Sequence, residues 1–379
     1  MSELWVTALR GTEVALRDEL RELGFRGSKA DRGGVRVPLH PDRDGVGREH
    51  EVAFQICLWT RIGVRVLVPV AGELEAHTPA ALYEGVRAIP WERWLDATTT
   101  LAVSCVSRES AQANERFVSL KTKDAIVDRL RDVIGERPSV DREDPAAPVF
   151  VHLKRDRARV FLDASGDALH RRGYRLVHGE APLKETLAAA VLRLSGWDRE
   201  SPLVDPTCGS GTLAIEADLW ARDVAPGLLR SRFAIERWRS VDPALRARFA
   251  EQRDKARSFA RREGPDVWAS DASAASVESA RENARRVGAA VRFSIARLGA
   301  LEPTRPAGTV VANLPYGERI AIDPSLWDEL GRVMRRGARM RWALLLGGAP
   351  LDGALPPPDA LIPLWNGPLE CRLAIVGPR

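Results

Sequence analysis

The sequence predicts an α/β protein with a doubly wound, Rossmann-like parallel sheet in its C-terminal half and an α+β region before it. Three stretches carry that prediction. Leu203 to Glu216 (LVDPTCGSGTLAIE) begins as a short apolar strand, breaks at Pro206, passes through a loop with Gly209 and Gly211, and resumes as a helix from about Thr212. Val267 to Asp271 (VWASD) is a second short apolar strand that ends in a carboxylate, and helical periodicity follows over Ala275 to Arg286. Thr309 to Ala312 is a third apolar run, leading into Asn313-Leu314-Pro315-Tyr316. Strands alternating with helices in this order are what a parallel sheet covered on both faces requires.

From the N-terminus, Leu4 to about Leu39 reads strand, helix, strand. The helix is expected over Thr12 to Leu23 with Val14, Leu16, Leu20 and Leu23 on its apolar face, and Gly24 ends it. His40 to Glu51, dominated by histidine, proline and charge, reads as a loop. Helices are then expected over Ala53–Thr60, Ala80–Ile89 and Lys123–Val133, and strands over Val64–Val70 and Leu101–Val106. The polar segment from Ser107 to Lys123, with Arg108, Arg116, Lys121 and Lys123, reads as a connecting loop, and on its residues alone as a solvated one. Phe150–Leu153 and Arg159–Leu162 form a hairpin, and the basic HRRGYR of His170 to Arg175 either binds phosphates or closes a joint between domains. Leu183 to Leu194 is a helix with Pro182 at its beginning, where proline is tolerated. Val291–Ile295 and Trp342–Leu346 read as strands, Leu326–Arg336 as a helix, and the tail as two antiparallel strands about Asn366-Gly367.

Composition limits the classes. Of 379 residues, 45% are hydrophobic, which suits a globular chain of two or three domains. No apolar run approaches the roughly 18 residues of a membrane span, and the first residues mix charge into MSELWVTALRGTE, so a cytoplasmic protein is expected. Cys57, Cys105, Cys208 and Cys371 are scattered and expected as reduced thiols; the six histidines are equally dispersed, so no metal site is expected. The net charge of +5, mostly from arginine, is compatible with a nucleic-acid partner.

The glycine loop is where a ligand belongs. Glycines let backbone approach a ligand closely, and the N–H groups of a starting helix favour an anionic group. The loop, Thr207-Cys208-Gly209-Ser210-Gly211, lacks the Gly-Lys-Ser/Thr ending and the GxGxxG of the phosphate-cradling patterns. Asp271, at the tip of the second strand, stands where such folds hold a ribose by its hydroxyls; a helix cap is the alternative.

DPTCGSGT, SDA and NLPYGER, in this order, resemble the class I S-adenosyl-L-methionine-dependent methyltransferases that act on exocyclic amines of nucleobases. GGVRV (33–37), CLWTRIGVRVLVP (57–69), LYEGVRAIPW (82–91), LDASGDALHRRGYR (162–175), APLKETLAAA (181–190) and NGPLEC (366–371) extend the likeness. Together these segments resemble the THUMP-containing, RlmL-type family of large-subunit ribosomal RNA guanine-N2 methyltransferases.

That resemblance implies a ferredoxin-like unit over 1–51, a THUMP RNA-binding domain over 52–162 and one methyltransferase domain over 163–379. It implies S-adenosyl-L-methionine held by the glycine loop, Asp205, Asp271, Asn313, Pro182 and Lys184, with Asp205 facing the ammonium group of its methionine part. It implies RNA, 23S ribosomal RNA or a precursor, as partner, with Arg108, Arg116, Lys121, Lys123, Arg171 and Arg172 contacting it. Asn313 and the Leu314 carbonyl would accept the two N–H groups of a guanine N2 amine, Pro315 would fix the backbone, and Tyr316 would stack on the base. Two departures matter. Leu314 stands where the nucleobase-amine families usually have proline, which leaves adenine N6 or transfer-RNA guanine N2 as alternative targets. Arg297 stands where the family usually has an aspartate for the adenine amino group; arginine cannot accept a hydrogen bond, so Glu302 is the substitute acceptor or cofactor binding is weakened. A non-catalytic RNA-binding assembly factor is the reading of another class.

Overall fold

The computed structural model describes residues 3–39, 48–175, 183–301, 308–314, 324–347 and 355–379, without the side chains of 324–326. Strand β1 (Glu3–Thr7), helix α1 (Glu13–Glu22), strands β2 (Lys29–Asp31) and β3 (Gly34–Pro38), helix α2 (Arg48–Trp59) and strand β4 (Arg65–Pro69) come first. Their sheet order is β2-β3-β1-β4 with every neighbour antiparallel, the ferredoxin-like arrangement. The unit therefore closes at Pro69. The boundary expected after residue 51 falls inside α2, and β4 belongs to the first unit because Val66 pairs with Val6 of β1. On α1, Leu16 and Leu20 are buried as expected, whereas Val14 is 53% exposed because only one stripe of so short a helix meets the sheet.

Strand β5 (Leu74–Glu75), helix α3 (Pro79–Arg87), strand β6 (Leu101–Arg108), helix α4 (Glu115–Ile134) and strands β7 (Ala147–Lys154) and β8 (Arg157–Asp163) follow. Strand β8 pairs with β4, so the two N-terminal units share one sheet, ending β4-β8-β7-β6. Helix α4 starts earlier than its apolar stripe suggests, because the Asn114 side chain accepts from the Phe117 N–H at 3.0 Å and caps it. Arg116 and Lys121 thus stand on the same helix as Lys123, correcting the loop expected for them.

The C-terminal half contains α5 (Glu185–Leu194), β9 (Leu203–Asp205), α6 (Thr212–Ala221), α7 (Pro243–Phe259), β10 (Val267–Asp271), α8 (Ala274–Val287), β11 (Val291–Ile295), β12 (Thr309–Asn313), α9 (Pro324–Arg336), β13 (Arg341–Gly347), β14 (Ala360–Asn366) and β15 (Leu369–Val376). Its sheet runs β11-β10-β9-β12-β13-β15-β14, parallel through β13, with β15 and β14 antiparallel. Succession turns from one side of the sheet to the other between β9 and β12, the switch point beyond which such sheets bind ligands.

The two halves are packed into each other. Leu245, Phe249 and Ala256 of α7 join the core of the N-terminal sheet, and Phe249 stacks on Phe54 of α2 with ring centroids 4.1 Å apart. Arg61, 6% exposed, donates to the carbonyls of Leu219 (3.3 Å) and Val224 (2.6 Å) beyond the joint. Burial pulls its guanidinium down to about 10.

Candidate active site

Three polar side chains end adjacent parallel strands at the switch point: Asp205 on β9, Asp271 on β10 and Asn313 on β12. Parallel register puts their carboxyl ends on one edge, with Ala269 opposite Asp205 and Val310 opposite Val204. Asp205 is fully buried; one carboxyl oxygen accepts from the Thr207 N–H at 3.3 Å, and the other has no hydrogen-bond partner among the described residues. Burial pushes this carboxyl up to about 8; the Thr207 bond lowers it by less, and nearby Asp271 adds to the rise.

Asp271 is not the cap of α8. Ser273 fills that place, its hydroxyl accepting from the Ser276 N–H at 3.2 Å. The Asp271 carboxylate instead accepts from the Ser273 N–H at 2.9 Å and from the Gly209 N–H at 3.0 Å, tying the second strand end to the glycine loop. That loop is pinned further by Cys208 N–H to the Ser270 carbonyl (2.9 Å) and by Asn283, 2% exposed on α8, donating to the Ser210 carbonyl at 3.1 Å. Thr207 Oγ1 donates to the Asn313 carbonyl at 3.3 Å, so loop and third strand end are joined as well. Asn313 Oδ1 is buried without a partner among the described residues.

Behind the loop lies a layer of charges built on Arg172 and Arg175 of the HRRGYR stretch. Arg175 donates to Thr212 Oγ1 (2.8 Å) at the start of α6 and to the Leu183 carbonyl (2.9 Å) before α5, and meets Glu185 at 3.3 Å. Arg172, 2% exposed, donates to the carbonyls of Leu169 (2.7 Å) and Arg61 (2.6 Å) and stands 3.5 Å from Glu216 of α6. Arg172 thus closes the joint and is removed from the surface residues expected to touch RNA. Glu19 of α1, also buried, takes the Thr60 hydroxyl at 2.6 Å and the Arg61 N–H at 2.9 Å, with burial raising its carboxyl. The links of Arg175 to Thr212, Arg172 to Glu216 and Glu19 to Thr60 join residues far apart in sequence, so no local pattern marks them.

The other expected positions divide. Lys184 precedes α5 without a side-chain cap bond, and Arg297 is exposed beyond β11. Arg108, Arg116 and Arg171 are exposed, Arg171 pairing with Asp167 at 3.2 Å; Lys121 lies over the Tyr83 ring at 4.8 Å, and Lys123 pairs with Asp124 at 2.8 Å. Pro182, Glu302, Pro315 and Tyr316 lie outside the described residues. Among the described residues no group of histidine, cysteine and carboxylate side chains could hold a metal ion, and no helix is long and apolar enough to cross a membrane.

The buried Asp205 makes a pH prediction. Its folded carboxyl titrates near 8, whereas an unfolded aspartate titrates near about 4. The stability this group lends below the unfolded value is therefore lost as pH rises toward the folded one. Asp205→Asn is expected to stabilise the ligand-free protein at pH 8 by on the order of 0.5–2 kcal/mol, an advantage that shrinks toward pH 4. Thermal melts across that range check it; an advantage independent of pH would be inconsistent with a neutral buried carboxyl.

Comparison with known proteins agrees with this architecture. Residues 172–348 match the family model described as RMKL-like, methyltransferase domain, and residues 76–163 match the THUMP domain. The ribosomal RNA large subunit methyltransferase K/L of Syntrophotalea carbinolica is 39% identical over 386 residues, covering 98% of this chain and 53% of that protein. The chain thus spans about half the length of that curated relative. Among solved structures, the SMU.472 protein complexed with SAH superposes with a TM-score of 0.87 at 31% identity, over 100% of this chain and 98% of that one. A possible methylase from Clostridium difficile 630 gives 0.87 at 28% identity over the same shares. TrmN from Thermus thermophilus, at 22% identity and 0.71 over the whole of both chains, shares the fold. With the glycine loop, the switch-point geometry and both domains in place, this chain belongs to the family of RMKL-like methyltransferases that carry a THUMP domain.

Proposed function

We propose that this chain, in the cytoplasm, transfers a methyl group from S-adenosyl-L-methionine to the exocyclic N2 amine of a guanine in large-subunit (23S) ribosomal RNA. The observation that carries the reading is the convergence of Asp205, Asp271 and Asn313 on one sheet edge, two of them presenting buried oxygens without partners among the described residues. An orphaned buried carboxyl oxygen fits the ammonium group of a bound methionine moiety, and the Asp271 carboxylate fits ribose hydroxyls. When bound, S-adenosylmethionine supplies a methyl group already activated on a sulfonium. The chain's own task is then orientation. Asn313 Oδ1 accepts one N–H of the base amine, the Leu314 carbonyl is assigned the other, and Pro315 and Tyr316 keep the roles expected of them. The ribosomal name of the 39%-identical relative and the THUMP match support RNA as substrate.

Transfer of labelled methyl from S-adenosylmethionine to 23S RNA transcripts, with the product nucleoside identified, tests the reading. N2-methylguanosine is the expected product; N6-methyladenosine, or labelling of transfer RNA alone, would contradict the base or the RNA assignment. The assembly-factor reading, kept alive by exposed Arg297, requires that no cofactor bind at millimolar concentration.

The two loop glycines should respond differently. At Gly211 (φ +85°) a Cβ would sit 2.9 Å from the Ala280 Cβ, whereas at Gly209 (φ +52°) it would meet no protein atom within 4 Å. Gly211→Ala is expected to destabilise the fold by about 1–3 kcal/mol. Gly209→Ala should cost about 1–2 kcal/mol from its backbone alone, with its larger effect on cofactor affinity. Urea unfolding beside a cofactor titration separates the two.

A further inference from the structure

A cleft of about 950 Å³ opens between α4 and the segment 229–237, lined also by residues 140–145 and 165–173. That volume is at the upper end of ligand pockets. Nine arginines and lysines line it against three carboxylates; three of the nine, Arg65, Lys123 and Arg172, pair with Asp163, Asp124 and Glu216 outside the lining, which leaves a surplus of three.

We propose that this cleft is a composite binding site for an unpaired stretch of RNA beside the nucleotide to be modified. The inference rests on the RNA reading above and extends it to a second site away from the strand ends. The cations are of two kinds. Arg230 is fixed by four backbone carbonyls, those of Ser165 (3.2 Å), Asp167 (3.1 Å), Ala168 (3.0 Å) and Arg171 (3.3 Å), so its charge is held in place with no ion-paired carboxylate among the described residues. Arg232 and Arg237 share the one carboxylate of Asp144. Arg116 of α4 is exposed on the opposite wall, and neither it nor Arg142 has an ion-pair partner among the described residues. Preplaced guanidinium groups facing free ones suit phosphates entering between them.

The apolar lining selects the form of the RNA. Leu120 is 42% exposed and Val140 49%, both on the cleft wall, and Phe117, one turn before Leu120 on α4, is 46% exposed. A duplex presents phosphates and hydroxyls and would leave these side chains in water, whereas an unpaired strand offers base faces to cover them. The expected contacts Arg116, Lys123 and Arg171 belong to this cleft, while Arg108 and Lys121 do not line it. Arg172 lines it too and reaches Glu216 on the helix of the cofactor loop, so the cleft adjoins the cofactor domain through a buried side chain.

Fluorescence anisotropy on the full chain tests the proposal, using a single-stranded RNA 12-mer and a blunt duplex of the same sequence across a salt series. Arg116→Ala/Arg142→Ala is expected to weaken the single strand on the order of tenfold and to lower the salt slope by about 1.4, with S-adenosylmethionine affinity and melting temperature retained. Loss of affinity for the duplex alone, or wild-type affinity of the double variant for the single strand, would overturn the cleft assignment while leaving the proposed activity standing. Wild-type protein that binds neither RNA would remove the RNA reading itself and the cleft with it. Displacement of the 12-mer by a polyglutamate peptide at equal concentration would reassign the cleft to an acidic protein partner.

Discussion

Asn313→Ala is expected to lower methyl transfer by roughly 10²–10³-fold at saturating RNA and cofactor, the size found when one preorganised polar group is removed from a reacting centre. The loss should fall on kcat, because the amide contributes where the nucleophile is oriented. The fold should be unaffected. Asn313 is held by its backbone, through pairing with Leu345 on β13 and through Thr207 Oγ1 on its carbonyl, and its Oδ1 has no partner among the described residues. Cutting it back to Cβ thus leaves every described hydrogen bond of the strand end in place. Single-turnover rates beside a cofactor titration and a melting curve provide the check. A variant with wild-type rate would remove Asn313 from the chemistry, and one that fails to fold would make it structural.

The second large effect is on stability. Arg172→Met is expected to cost about 3–5 kcal/mol, because a buried ion pair that loses one partner leaves the other charge without compensation. Glu216 is 1% exposed; without Arg172 its one hydrogen bond among the described residues is from the Tyr174 hydroxyl at 3.3 Å, with the charge of Arg61 as its remaining cation nearby, and the carbonyls of Arg61 and Leu169 lose their donor. Replacing both charges, Arg172→Met with Glu216→Leu, should recover a good part of that loss, since apolar substitutes of similar size remove the uncompensated charge. A double-mutant cycle by urea unfolding measures the coupling. Additive losses would mean that the pair at 3.5 Å contributes nothing of its own.

The sheet that positions the site was legible because its strands are short apolar runs with clear stops. Val267–Asp271 and Val291–Ile295 have the bounds expected of them, the first closed by a carboxylate. Helix α7 was not foreseen. Its sequence, PALRARFAEQRDKARSF, carries seven charges in seventeen residues, and only Leu245, Phe249 and Ala256 are buried, too few to stand out as a stripe. HRRGYR left phosphate binding and a domain joint as alternatives, and the stretch divides between inside and outside, with Arg172 and Tyr174 buried while Arg171 and Gly173 are exposed. The ferredoxin-like unit was recognised but cut short, because the pairing of β4 with β1 spans about sixty residues and leaves no mark within either strand. In the site, Asp205, the glycine loop, Asp271 and Asn313 were readable from strand ends. Arg61, Glu216 and Asn283 were not, since each acts through a partner distant in sequence.

The most direct test compares nucleosides of large-subunit RNA from cells carrying the wild-type chain and cells carrying Asn313→Ala, by mass spectrometry with the site mapped on RNA fragments. Loss of a single N2-methylguanosine from 23S RNA, with its transfer-RNA nucleosides unchanged, is the predicted result. An unchanged 23S profile, with a methyl group missing from transfer RNA or from no RNA, would contradict it.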